Sequence, residues 1–160
     1  MEEIAFRDFR PEDAGWLAAR HGALYAEAEG FDESFQELVA QIVADYAATR
    51  EPSRERAWIA TRGGERLGSI FCVEAPDGIA KLRLFLVEPA ARGQGLGKRL
   101  LDLCLRYARD RGYPGLTLWT HESHRAAGAL YRAAGLRIVD SRRVRSFGQD
   151  LVEQIWQIDF

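Results

Sequence analysis

Apolar and polar residues alternate over positions 4–9, which predicts a strand. The period then lengthens. Trp16, Leu17, Leu24, Tyr25 and Ala28 share one face of a helix that opens at Pro11-Glu12-Asp13 and ends at Gly30. Proline at the first helical position and acids in the first turn suit such a start. Asp32 to Ser34 provides a second cap, followed by Phe35, Leu38, Val39, Ile42, Val43 and Tyr46 at helical spacing. Positions 51–56 are polar and carry Pro52, so a loop is expected there. Strand patterning returns at 57–61 and 67–74, joined by the Gly63-Gly64 turn. Pro76-Asp77-Gly78 turns the chain into a third strand, 79–87, which Pro89 closes. Beyond it the pattern predicts a helix over 95–111, a strand over 116–120, a helix over 123–134, and strands over 137–146 and 151–159.

A three-strand meander feeding a strand–helix–strand unit predicts an α/β domain: a mixed sheet with helices on its faces. No repeat, low-complexity tract or linker interrupts it, so residues 1–160 read as a single domain. With 47% apolar residues the chain can build one sizeable core. Its formal net charge of −2 gives no electrostatic reason to expect nucleic acid or an anionic membrane as partner. Cys72 and Cys104 both sit inside apolar runs, and MEEIAFRDF lacks the basic start and apolar stretch of a secretory signal. Two buried thiols without such a signal point to a reducing cytoplasm, with a disulfide the less favoured state. No run approaches the roughly 20 apolar residues of a membrane span.

The candidate chemistry lies in ARGQGLGKRLL, where glycines alternate with other residues between a strand and a helix. That build is the usual cradle for a phosphate. A P-loop would need Ser or Thr after Gly97-Lys98, but Arg99 stands there and Arg92 replaces the first glycine. A dinucleotide fingerprint counted from Gly93 would place its third glycine on Lys98. Both familiar nucleotide motifs fail.

What remains, Arg92-x-x-Gly95-x-Gly97, resembles the pyrophosphate-binding signature of the GNAT N-acetyltransferase family, Arg/Gln-x-x-Gly-x-Gly/Ala. LFLVEPAARGQGLGKRLLD looks like that family's fourth strand, loop and third helix. HRAAGALYRAAGLRIV resembles its later segment, Asn-x-x-Ala-x-x-Leu-Tyr-x-x-x-Gly-Phe, with Ala127, Leu130, Tyr131 and Gly135 in register. From Leu82 onward the likeness is nearest to acetyltransferase domains fused behind winged-helix regulators, although these residues include no DNA-binding half. The resemblance implies a mostly antiparallel mixed sheet of about seven strands flanked by four helices. It also implies an acetyl-CoA-dependent N-acetyltransferase whose acceptor is an amine, a small molecule or a lysine side chain, attacking directly within a ternary complex. No metal is implied.

On the same grounds, backbone N–H groups of Arg92, Gly93, Gln94, Gly95, Leu96 and Gly97 would meet the pyrophosphate at a helix N-terminus. Lys98 stands next in line, with a solvated helix charge as its plainer reading. Leu86 and Val87 would pair their backbone with the pantetheine arm and polarise the thioester carbonyl. Tyr131 would give the leaving thiolate a proton. His124 replaces the family's asparagine and could hydrogen-bond the pantetheine, cap its helix, or equally stand as a satisfied surface histidine. Lys81 occupies the position where some members place a glutamate base, and a protonated lysine cannot take a proton. The base is therefore open among His21, Tyr25, Glu27, Glu29, Glu74 and His121, or a water chain. Trp16, Trp58 and Trp156 read as core, and Trp119 as core or acceptor-pocket lining. An acyl-CoA sensor without turnover fits the same residues, as does a partner-binding domain that has lost the coenzyme. The C-terminal strands leave a homodimer and a closed monomer edge equally open.

Overall fold

The computed structural model describes residues 3–160; Met1 and Glu2, where the acidic start begins, lie outside them. Strand β1 (Ala5–Asp8) leads through a 3-10 turn (Pro11–Asp13) into α1 (Ala14–Glu29) and α2 (Glu33–Thr49). A meander of β2 (Arg56–Arg62), β3 (Glu65–Glu74) and β4 (Ala80–Val87) follows. Then come α3 (Leu96–Asp110), β5 (Gly115–His121), α4 (Arg125–Ala133), β6 (Arg137–Ser146) and β7 (Gln149–Asp159). The two glycine and aspartate punctuations act as the sequence suggests. Gly30 closes α1 in the left-handed region at φ 69°, and the Asp32 side chain accepts from Ser34 N at the start of α2.

All seven strands form one sheet in the order β1-β2-β3-β4-β5-β7-β6. Every neighbouring pair is antiparallel except β4 and β5. Strand alternation sorts side chains to two faces. On one face Phe9, Ile59 and Phe71 pack against Leu17 of α1 and Val39, Val43 and Tyr46 of α2. On the other, Trp58, Ile70, Cys72, Leu82, Leu116 and Leu118 pack against Leu100, Leu101 and Cys104 of α3 and Tyr131 of α4. Cys72 and Cys104 are free, buried thiols in this second layer. Trp58 and Trp156 are core as expected, whereas Trp16 is only half-buried and lies under the Arg66 guanidinium. No described helix is long and apolar enough to cross a membrane.

A tie between distant segments closes the molecule. The turn of the β6–β7 hairpin brings Phe147 within 5.0 Å, ring centroid to ring centroid, of both Phe31 and Phe35. Its carbonyl accepts from Asp32 N at 2.9 Å. The last hairpin is thereby pinned to the α1–α2 junction.

Candidate active site

The site begins where the sheet comes apart. Strands β4 and β5 pair in parallel only at Ala80–Leu116 and Lys81–Thr117. Beyond Lys81 they share no pairs, yet β4 runs on to Val87 against β3, with Leu86 opposite Ser69 and Val87 opposite Gly68. The separation coincides with a bulge. Ladder pairing passes from Phe71–Arg83 to Ser69–Leu86, so Leu84 and Phe85 together oppose Ile70. Leu84 takes φ 50°, rare for a branched side chain, and its carbonyl accepts from Ser69 Oγ at 2.6 Å. One edge of Leu86 and Val87 is left without a strand partner, so an extended ligand arm can pair there as an added strand.

The glycine turn follows directly. Gly93 and Gly95 adopt φ 78° and 75°, and a Cβ at either would meet nothing within 4 Å. These two glycines make the turn, and the space above them is open. Gly95 is also the N-cap of α3, so no side chain satisfies the first N–H groups of that helix. Unfilled donors at the positive end of a helix, beneath open space, fit a pyrophosphate. Gly97 does something else. Its Cβ would lie 2.9 Å from Leu130 Cδ1, so its smallness lets α3 and α4 approach. Lys98 points to solvent, with Asp102 3.9 Å away. Gln94 accepts from Arg62 Nη2 at 2.8 Å and, with Arg62 and Arg99, lines a cavity of about 360 Å³ beside the loop.

Tyr131 is buried on α4 between Phe85, 6.1 Å away, and Trp156, 5.7 Å away. Burial pushes its phenol well above the usual tyrosine range, so it stays protonated at any physiological pH. Next to it the structure gathers residues far apart in the chain. His21 and Tyr25 of α1 stack at 6.3 Å; Tyr25 lies 4.7 Å from His124, and His124 lies 5.6 Å from His121. Two of the three histidines thus flank Tyr25, and the third reaches it through His124. Burial raises the Tyr25 phenol to about 12, with the neighbouring Glu29 charge adding to it and Arg92 opposing it. His21 Nδ1 donates to Leu17 O at 2.8 Å, and burial lowers its pKa to about 4. Its Nε2 has no partner.

His124 is held at both ring nitrogens. Nε2 meets the Glu29 carboxylate, and Nδ1 lies 3.0 Å from Thr120 Oγ1. The side chain makes no cap bond to α4, which corrects the capping reading of this residue. Glu74 sits opposite Ala80, at the far end of β4 from the separation, and pairs with Arg54 at 3.1 Å, so it leaves the list of bases. Glu27 is exposed. Lys81 is half-buried beside Arg83, where burial and that neighbouring charge lower its pKa. Trp119 is 37% exposed, against His121 at 4.7 Å, so it is not core.

The model of the acetyltransferase (GNAT) family matches residues 7–136. The chain belongs to that family. Among curated GNAT relatives, a mycothiol acetyltransferase of Thermomonospora curvata is 30% identical over 136 residues, covering 82% of this chain and 43% of the relative. N-acetyltransferase family 8 member 2 of Rattus norvegicus is 34% identical over 85 residues, covering 50% of this chain and 38% of the relative. The chain therefore spans less than half the length of these relatives. The fold agrees with solved GNAT structures. A ribosomal-protein-alanine N-acetyltransferase of Brucella melitensis superposes with a TM-score of 0.77 at 20% identity, covering 98% of this chain and 99% of that one. The protein yncA of Salmonella typhimurium, solved with its cofactor acetyl-CoA, gives 0.74 at 18% identity, covering 98% and 93%.

Proposed function

We propose that this protein is an acetyl-CoA-dependent N-acetyltransferase, passing an acetyl group to a primary amine of a small molecule or a lysine side chain by direct attack in a ternary complex. The observation that carries the reading is the unpaired edge of Leu86 and Val87 opening straight onto the uncapped N-terminus of α3. A pantetheine arm on the one and a pyrophosphate on the other would be continuous. Arg92, Gly93, Gln94, Gly95, Leu96 and Gly97 hold the phosphates through their backbone, with Lys98 as outlying positive charge. When bound, acetyl-CoA supplies the activated acyl carbon. Leu86 and Val87 orient the thioester through their amides, and Tyr131 keeps a proton ready for the departing sulfur. β6 forms an open edge of the sheet, and a second copy pairing there would give a homodimer.

Calorimetric titration with acetyl-CoA, using ATP and NAD as controls, tests the donor. Micromolar binding by acetyl-CoA alone is expected, and absence of binding removes the reading. Tyr131→Phe separates enzyme from sensor. Amine-dependent release of CoA in the wild type should fall about 10²-fold or more in the variant, with acetyl-CoA affinity retained. Binding without turnover of any amine would identify a sensor.

A further inference from the structure

The position at which some GNAT members carry a basic glutamate is Lys81, so the proton released by the attacking amine needs another acceptor. We propose that Thr120, His124 and Glu29 form that acceptor, a relay in which His124 takes the proton through the Thr120 hydroxyl and Glu29 stabilises the resulting imidazolium. The inference rests on the transferase reading above.

The geometry specifies the direction of the relay. Glu29 can only accept from His124 Nε2, which therefore carries the ring proton. Nδ1 is then the lone pair, and Thr120 Oγ1 donates to it at 3.0 Å. The side chains are largely withdrawn from water, with His124 16% and Glu29 11% exposed, and Thr120 is 7% exposed. A carboxylate and an imidazole brought together at such depth cost desolvation, and a merely structural cap for α4 would not need them, since no such cap bond forms.

The placement is also right. Thr120 lies on the stretch of β5 that has parted from β4, and His124 immediately precedes α4, which carries Tyr131. Tyr25 touches the ring of His124 and is close enough to feel the charges of both Glu29 and Arg92. The relay thus lies beside Tyr25, whose charged and polar neighbours include both Arg92 of the phosphate loop and the proposed acid, Tyr131. In the transfer, the amine nitrogen bonds to the acyl carbon as the carbon–sulfur bond breaks. The N–H proton passes to Thr120 Oγ1 while the Thr120 proton moves to His124 Nδ1. The sulfur leaves with the proton of Tyr131, and the imidazolium proton afterwards restores the phenol, so no net proton is left on the protein.

The titratable and charged groups facing His124 are Glu29 and Tyr25 from α1 and His121 from β5, with Glu153 of β7 behind His121 and Arg92 beyond Tyr25. Burial lowers the His124 pKa and Glu29 opposes that shift. Activity should therefore fall as pH drops through the His124 titration, below the usual histidine range. Glu29→Gln keeps a hydrogen-bond acceptor and removes only the charge, so it should move that acid limb to lower pH.

The test uses the full chain with acetyl-CoA and hydroxylamine, a small amine acceptor largely uncharged at neutral pH, corrected for the uncatalysed rate. Thr120→Val and His124→Gln are expected to lower kcat about 10²-fold or more with acetyl-CoA affinity changed less than about threefold. Nitrogen-15 NMR of the His124 ring, which needs no turnover, should show the proton on Nε2 and a lower pKa in Glu29→Gln. A Thr120→Val rate within threefold of wild type, or a His124 titration unmoved by Glu29→Gln, overturns the relay. A wild type that neither binds nor uses acetyl-CoA overturns the transferase reading instead.

Discussion

Asp13 shows how far a residue's role can exceed its local signal. In the sequence it is an acid in the first turn of a helix. In the fold it is wholly buried, accepting from Arg7 at 2.9 and 2.8 Å, from Arg66 Nε at 2.8 Å and from Arg10 N at 2.7 Å. Burial alone would raise its pKa, but the bonds from Arg7, Arg10 and Arg66 outweigh it and hold the carboxyl at about 2, against 3.8 when unperturbed. A depressed folded pKa contributes stability that is fully present above the unfolded value and is lost as pH falls through the folded one. The difference amounts to about 2 kcal/mol, lost between roughly pH 4 and pH 2. Asp13→Asn should therefore be about 2 kcal/mol less stable at neutral pH, with the gap closing over that window. Urea unfolding at a series of pH values reads this directly, and a pH-independent gap would refute it.

At the scale of elements, Gly68 governs the separated strand. A Cβ there would lie 2.6 Å from the Leu86 carbonyl oxygen and 3.2 Å from Leu100 Cδ1. The first neighbour is backbone and cannot rotate aside. Gly68→Ala should cost about 1–3 kcal/mol and push Leu86 out of line, weakening acetyl-CoA binding as well as lowering Tm. Unchanged melting and affinity would show that β3 and β4 have slack at this point. The elements themselves were legible: the strand over 137–146 is found as read, and the helix over 95–111 lies within a residue of α3. Apolar periodicity, proline and glycine carry that information locally. The bulge was not legible, because the residue that takes the left-handed conformation is Leu84, a type that gives no sign of it. Nor was the relay. Thr120 and His124 stand four residues apart, but Glu29 closes α1 far earlier in the chain, and only tertiary packing brings its carboxylate to the His124 ring. Gly97 was read for its neighbours in sequence, whereas its constraint comes from Leu130 on another helix.

For the whole molecule, the consequence is a sheet in two parts, β1 to β4 and β5-β7-β6, joined by two residue pairs and by the helices that cross them. A ligand that lies between them binds the native state only. At a concentration one hundred times its Kd, acetyl-CoA should add about 2.7 kcal/mol. For a chain of this length that is a rise in Tm of roughly 5–10 °C. Differential scanning fluorimetry against acetyl-CoA concentration checks it, and a flat response would argue against a ligand bridging the two parts.

The same gap limits how the protein can be improved. Extending the pairing of β4 and β5 past Lys81 and Thr117 would be the obvious way to harden the sheet, because that junction is its shortest. Each pair added there would occupy the backbone edge proposed for the coenzyme, so on that reading robustness gained at the junction is activity lost. Variants selected for heat resistance while still under selection for turnover should gather their substitutions in the two helical layers and the β6–β7 hairpin, and leave the inner edges of β4 and β5 as they are.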